Sequence, residues 1–304
     1  MNGPTALTTS ALSSSEPPPV STHSGGFSLT PLWALYILTM RQYGHGKRWM
    51  VMAALMFLPA VLALLVRSAS PDVPGIGHEF LFVFMLISQA LLPLAALIYA
   101  SGMIQDELED QTITYLLIRP IPRWALYLVK LLATLTATIF LTFIFTILTY
   151  AAIYIGAGGG GQDIPLRCLK AACIHSLAMA TYCCLFGLMG LLTKRILIVG
   201  ILYLVVFEGL FANLAFSIRL ITVIYYSRII AYRSMPFIVS TPFGPRDFAA
   251  DAWQLDVAND PTLSQHPSLF TCIAVLVLSS LVFASLAAFI CSQREFHVKT
   301  PEKG

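Results

Sequence analysis

The charged side chains that could do chemistry are concentrated between residues 104 and 130, in a segment that separates two long apolar runs. Four carboxylates open this segment, an apolar patch follows, and two arginines beside prolines close it: Asp106, Glu107, Glu109 and Asp110, then Ile113, Tyr115, Leu116, Leu117 and Ile118, then Arg119, Pro120, Pro122 and Arg123. Acids near the start of a helix and a base near its end complement the helix dipole, and each proline sets a helix boundary. The pattern predicts a helix, a break and a second helix, with the apolar patch on a membrane surface and the charges facing water or a partner.

Glu208 is the second candidate, because it lies near the middle of a long apolar run. A carboxylate there costs a few kcal/mol unless it has a partner or contacts water. Two interpretations stay open. Glu208 lines a transport path, or it makes a structural hydrogen bond with a neighbour such as Asn213 or with a polar residue of another helix. For His175 and Gln89, which also lie in apolar runs, we expect hydrogen bonds between helices.

Motifs of enzymes are absent from the sequence. There is no Gly-rich phosphate loop, no His-Glu-x-x-His and no Gly-x-Ser-x-Gly. The six cysteines include no Cys-x-x-Cys, so neither a metal site nor a disulfide framework is expected. A net charge of +3 without a basic, aromatic-rich patch does not indicate nucleic-acid binding. We therefore predict no catalysis, no cofactor and no metal.

The elements that must position these residues follow from composition. The chain is 57% hydrophobic and only 11% charged, and its mean hydropathy is +0.78, which excludes an ordinary soluble protein. Six apolar runs are long enough to cross a bilayer as helices, at residues 49–66, 80–102, 127–154, 168–192, 196–218 and 269–291. We predict an all-α polytopic membrane protein with six transmembrane helices in contact with membrane lipids.

Basic residues near the span ends predict the orientation. With both termini cytoplasmic, most of them fall on the inner side, and the short outer loops hold only Arg67, Arg167 and Lys170, as the positive-inside rule prefers. We expect a multi-pass protein of a cell membrane, of the bacterial inner-membrane type.

The remaining segments receive simpler predictions. Residues 1–26 are rich in Ser, Thr, Pro and Gly and are predicted to be a disordered tail, followed by an interfacial helix over 27–43. The domain of six spans covers 27–304. Residues 219–268 form a long external loop, predicted to begin with an amphipathic helix and to continue as coil, either as a gate or as a plain lid.

The charged segment resembles the signature of ABC-2 type permeases, the membrane-spanning subunits of ATP-binding cassette exporters. Their pattern between spans 2 and 3 is roughly Glu-Arg-Glu-x-Gly-Thr, then Leu-Leu, Pro, Arg and Lys. In this chain it is matched in register by Glu107, Glu109, Thr112, Leu116, Leu117, Pro120, Arg123 and Lys130. Leu108 and Gln111 stand where the family prefers Arg and Gly.

The resemblance implies a cytosolic amphipathic coupling segment that docks onto a separate ATPase subunit. The docking residues would be Glu107, Glu109, Thr112, Leu116, Leu117, Arg119, Pro120 and Arg123. It also implies a homodimer or a heterodimer with a related permease, because six spans form half of the family's usual pore. A membrane scaffold or assembly subunit that transports nothing is the alternative. An intramembrane hydrolase fits less well, because no nucleophile and base stand at a recognisable spacing.

Overall fold

The computed structural model describes residues 29–45, 47–69, 75–109, 122–155, 163–193, 195–213, 217–241, 244–255 and 266–293. The predicted tail 1–26 lies outside the described residues. The same holds for five of the predicted docking residues, Thr112, Leu116, Leu117, Arg119 and Pro120.

Helices dominate the described part of the chain. They are α1 (Leu29–His45), α2 (Lys47–Ala69), α3 (75–109), α4 (Arg123–Tyr154), α5 (Ile164–Leu192), α6 (Ile196–Asn213), α7 (Val223–Ser234), α8 (Phe248–Trp253) and α9 (Leu269–Gln293). Six of them, α2 to α6 and α9, are long and apolar enough to cross a membrane. The predicted all-α architecture with six spans is therefore confirmed.

The bundle is organised around α5, which packs against α3, α4, α7 and α9. In the apolar part of α5, 67% of the residues are buried inside the protein, against 17% in that of α9, so α5 is central and α9 is peripheral. α6 lies against α3, where the close approach of the Leu97 side chain leaves no room for a Cβ at Gly200. Small residues at such crossings allow helices to pack tightly in a bilayer.

Two spans depart from regular α-helix. Within α3, residues Phe80–Leu91 form a π-helical segment, and within α6 the same geometry occurs at Leu204–Leu210 and is followed by a 3₁₀ turn at Phe211–Asn213. The described part of the fifth span reaches Asn213, and its predicted end at residue 218 stays a prediction. A 3₁₀ turn, Ser217–Ile221, precedes α7.

The long loop 219–268 differs from its prediction in two ways. α7 is buried over most of its length, with Ile229 and Ala231 fully inaccessible, because it packs against α5 and α9. Coil was predicted for the rest of the loop. The structure instead has an antiparallel hairpin, β1 (Ile238–Thr241) with β2 (Gly244–Asp247), and then α8. α1 is helical, as predicted, and its position at the membrane surface stays a prediction.

Asp247 explains why this part of the loop is ordered. Its Oδ1 accepts hydrogen bonds from the backbone N–H groups of Ala249 and Ala250 and caps α8. Its Oδ2 accepts from the hydroxyl of Tyr232 at 2.8 Å, which joins the hairpin to α7. Hydrogen bonding to Asp247 adds to the effect of burial and raises the pKa of Tyr232 to about 12.

A buried ion pair joins three spans near the ends that lead into the predicted outer loops. Glu79 of α3 is fully buried, and Arg167 of α5 donates to its two carboxylate oxygens at 2.8 to 3.1 Å. The hydroxyls of Tyr150 and Tyr154 on α4 donate to the same carboxylate at 2.9 and 2.6 Å. Arg167 also donates to the carbonyl of Pro236 and thereby ties the start of the hairpin to the bundle.

The other two basic residues predicted in outer loops also bond to protein groups. Arg67 at the end of α2 donates to the carbonyls of Ala152, Ile153 and Ile155 at the end of α4. Lys170 donates to the carbonyl of Ser234 at the end of α7. Cations at a helix C-terminus are favoured by the helix dipole. These exceptions to the charge asymmetry thus have structural partners.

We predict that Glu79→Gln lowers the free energy of unfolding by about 3 kcal/mol, because it leaves the Arg167 guanidinium buried without its counter-charge. Thermal unfolding of the purified protein in detergent measures the loss. Asp163→Asn is the matched control, since Asp163 is an exposed carboxylate beside α5. A Glu79→Gln protein that unfolds at the wild-type temperature would contradict a structural role for the pair.

Candidate functional site

The predicted docking segment begins on a continuation of the second span. The apolar part of α3 extends over Gly75–Met103, and the helix continues without a break through Glu107 to Glu109. At about 1.5 Å per residue, α3 is about 50 Å long and exceeds the roughly 30 Å of a hydrocarbon core. We therefore expect the polar end of the helix to project beyond the bilayer.

The other end of the segment is also attached to a span. Pro122 has an extended conformation (φ −64°, ψ 137°), and α4 begins at the next residue, Arg123. This agrees with the predicted helix start beside Pro122, while Lys130, the last residue of the motif, is buried on α4. The side chains of Glu107, Glu109 and Arg123 lie outside the described residues, so their contacts stay predictions.

Glu208 is bonded to the backbone of another helix. The side chain is 3% exposed and lies in the π-helical part of α6. Its Oε1 accepts from the N–H of Val223 at 3.0 Å and its Oε2 accepts from the N–H of Ile224 at 3.1 Å. The hydroxyl of Tyr203 donates to Oε1 at 3.3 Å. Of the two interpretations left open by the sequence, the structural hydrogen bond is present, with the backbone of α7 as the partner instead of Asn213. The role of Glu208 in a transport path stays a prediction.

This arrangement provides hydrogen-bond partners both for the Glu208 carboxylate and for the N-terminus of α7. The first N–H groups of a helix have no partner within the helix, and the positive end of the helix dipole favours an anion. Val223 and Ile224 are the first two residues of α7, and the N-cap residue Thr222 accepts from the N–H of Tyr225 through its own hydroxyl. Glu208 therefore obtains donors for its charge while α7 obtains acceptors for its buried amides.

Arg228 joins three helices one turn further along α7. Its guanidinium donates to Oδ1 of Asn213 on α6 at 3.0 Å, to the carbonyl of Ala212, and to Oε1 of Gln89 on α3. An arginine guanidinium keeps its charge at neutral pH. The predicted interhelical hydrogen bond of Gln89 is confirmed.

His175 confirms the corresponding prediction elsewhere in the bundle. Its Nδ1 lies 3.1 Å from Oγ1 of Thr146, which joins α5 to α4. Thr146 belongs to a row of buried threonines on α4, spaced four residues apart: Thr134, Thr138, Thr142 and Thr146. These polar groups belong to the core of the bundle and do not face the cavity described next.

A cavity of about 470 Å³ lies between α3, α6 and α7. It is lined by the polar residues Gln89, Glu208, Asn213 and Arg228 together with Ala90, Pro93, Leu94, Ile201, Leu204, Val205, Gly209 and Ile224. The cavity includes residues of both π-helical segments, a geometry that is rare and frequent at functional sites. The cavity is partly open to its surroundings.

Two groups of this structure were not identified from the sequence. Glu79 stands immediately before the predicted start of the second span at residue 80, so hydropathy placed it in a loop. Arg228 lies in the segment predicted to form an amphipathic helix, where Ile229, Ile230 and Ala231 follow it directly. That apolar neighbourhood was a signal of burial. Among the described residues, no three His, Cys, Asp or Glu side chains come together as a metal site requires.

We predict that Glu208→Gln is less stable than wild type by about 1 to 3 kcal/mol, since the amide offers one acceptor to two backbone N–H groups. Glu208→Leu removes both acceptors and should destabilise more. The control is Asn213→Asp, which keeps an acceptor toward Arg228. Unfolding temperatures in detergent give the order, and a Glu208→Leu protein as stable as wild type would contradict the assigned bonds.

Comparison with known protein families supports the resemblance seen in the sequence. No curated protein matches the chain. The family model described as ABC-2 family transporter protein matches residues 46–228, which is more than half of the chain and includes the predicted docking segment, Glu208 and Arg228. The chain is thus a six-span membrane protein that belongs to the ABC-2 transporter family.

Proposed function

We propose that the chain is the permease subunit of an ATP-binding cassette exporter, driven by a separate ATPase subunit. Family membership supports an ABC permease, a type of membrane subunit that is generally non-catalytic. The transport path forms between two such subunits, either two copies of this chain or this chain and a related permease. Both termini and the docking segment face the cytoplasm, where the ATPase binds.

The continuity of α3 is the observation that carries this proposal. Glu107 and Glu109 stand on the last turn of the helix that forms span 2, and Arg123 stands on the first turn of the helix that forms span 3. A force applied to the segment between them acts directly on two spans. Because α3 and α4 both pack on the central α5, movement of the segment is carried into the bundle.

The position of Glu208 and its cavity favours transport over the scaffold alternative. A scaffold subunit needs no cavity among its spans, whereas a permease needs a place for a substrate. The two roles considered for Glu208 are compatible: it holds α7 by hydrogen bonds and also lines the cavity. We propose that this cavity holds the substrate before it reaches the path between the two subunits.

We predict that Glu107→Lys with Glu109→Lys abolishes or strongly reduces co-purification of the ATPase subunit. The tagged permease is purified from its native membranes. The ATPase is then identified among the co-purified proteins by the Gly-x-x-x-x-Gly-Lys-Ser/Thr loop in its sequence. Charge reversal removes polar contacts from the docking surface without touching the bundle core, so the amount of inserted permease should be unchanged.

Asp163→Lys is the matched control, because it reverses an exposed carboxylate on the side predicted to be external. It should leave the association intact. Equal recovery of the ATPase with the double variant and with wild type would remove the docking role from this segment. A wild-type permease that brings no such subunit from its membranes would favour the scaffold.

A further inference from the structure

Arg228 is a buried cation whose hydrogen-bond partners are all neutral. The residue is 8% exposed, and its guanidinium donates to two side-chain amide oxygens and one backbone carbonyl. Its Nε has no partner within the described part of the chain. No carboxylate among the described residues forms an ion pair with it at 4.0 Å or less.

Glu208 does not serve as the counter-ion of Arg228. Both of its oxygens accept hydrogen bonds from the first amides of α7, and Tyr203 adds a third donor. Its charge is therefore used at the N-terminus of the helix. The contrast with Arg167 is direct, since the same type of side chain in the same bundle has a carboxylate at 2.8 Å. Buried charges normally have such a partner.

The cavity beside Arg228 is lined by polar and by aliphatic side chains. The polar ones are Gln89, Glu208, Asn213 and Arg228, of which Glu208 already accepts three hydrogen bonds, and aliphatic side chains of α3 and α6 form an apolar wall. Val205 and Ile201, which line the cavity, are 64% and 51% exposed on the surface of the chain. In a membrane that surface contacts lipid, so a molecule can enter the cavity sideways from the bilayer.

We propose that this cavity binds an amphipathic anion, with its charged headgroup on the guanidinium of Arg228 and its hydrocarbon chain along the wall between α3 and α6. The guanidinium fork suits a phosphate, sulfate or carboxylate, each of which accepts two parallel hydrogen bonds. Molecules of this class are then the substrates of the exporter. That last step rests on the proposed function, whereas the binding itself does not.

The test measures binding of radiolabelled dodecyl phosphate to the purified permease in neutral detergent, without the ATPase. Wild type should bind the probe saturably. Inorganic phosphate should not compete, because it lacks the chain, and dodecyltrimethylammonium should not compete, because it has the opposite charge. Competition by inorganic phosphate equal to that by unlabelled probe, or absence of saturable binding, would overturn the proposal.

Arg228→Gln removes the charge and should weaken probe binding by about tenfold or more, the usual effect of losing a charged hydrogen bond. Arg246→Gln is the matched control, because Arg246 is 63% exposed on β2 and pairs with Asp251. It should bind as wild type does. Equal affinity of the Arg228→Gln and Arg246→Gln proteins would overturn the assignment of the headgroup to Arg228.

Gly209→Leu provides a second test that leaves Arg228 in place. A Cβ at Gly209 meets only the carbonyl of Leu204 at an ordinary 3.5 Å, and Gly209 lines the cavity, so we expect the larger side chain to occupy part of it. It should weaken binding, while Gly44→Leu, where a Cβ meets nothing within 4 Å, should not. Unchanged binding by the folded Gly209→Leu protein would overturn the proposal even if Arg228→Gln fails to fold.

The outcomes also separate this proposal from the proposed function. Loss of probe binding in Arg228→Gln with normal recovery of the ATPase supports both. Probe binding by a permease that recovers no ATPase supports the site and rejects the exporter. Binding that occurs only in monomeric chains, and disappears when two copies associate, would identify the cavity mouth as a contact between copies and would overturn the site.

Discussion

A carboxylate inside a membrane protein must obtain hydrogen-bond donors from the protein itself, and Glu208 obtains them from the first two amides of α7. The architecture around it depends on this interaction. Glu208 lies in the π-helical segment Leu204–Leu210 of α6. α7 packs in the bundle with its N-terminus on the carboxylate. This position places Arg228 beside Gln89 and Asn213, at the cavity.

The Glu79–Arg167 pair differs from the site around Arg228. It is fully paired, surrounded by tyrosine hydroxyls, and it joins α3, α4 and α5 with the segment that follows α7. Its charges satisfy each other and are not available to a ligand. Two buried arginines in one bundle thus have different electrostatic environments. Arg167 is paired with a carboxylate, whereas Arg228 faces a cavity. The difference separates a structural role from a binding role.

Much of the fold is accessible from the sequence, because composition and run length alone determine where a chain can cross a bilayer. The spacing of Glu107, Glu109 and Arg123 likewise indicates the family, since the motif is local. The partner of Glu208 is not accessible in this way, because it is backbone on a segment that hydropathy assigns to an external loop. Arg167 and Glu79 are 88 positions apart, and no local pattern connects them.

The hairpin and α8 cannot be predicted from the sequence for a similar reason. Pro245 and Gly244 favour a turn or coil in isolation, and the strands are only four residues long. They are held by contacts that arise after folding, such as the cap from Asp247 and the hydrogen bond from Tyr232. Tertiary contacts override weak local propensity in such short elements.

Hydrogen–deuterium exchange of the wild-type protein in a lipid nanodisc tests the central claim most directly. If Glu208 holds a buried α7, the amides of Val223 and Ile224 exchange as slowly as those of α5, because they are bonded to the carboxylate and shielded from water. If α7 lies on the membrane surface as its amphipathic sequence suggests, its first amides have no partner and exchange as fast as an exposed helix end. Fast exchange at these two positions would contradict the account.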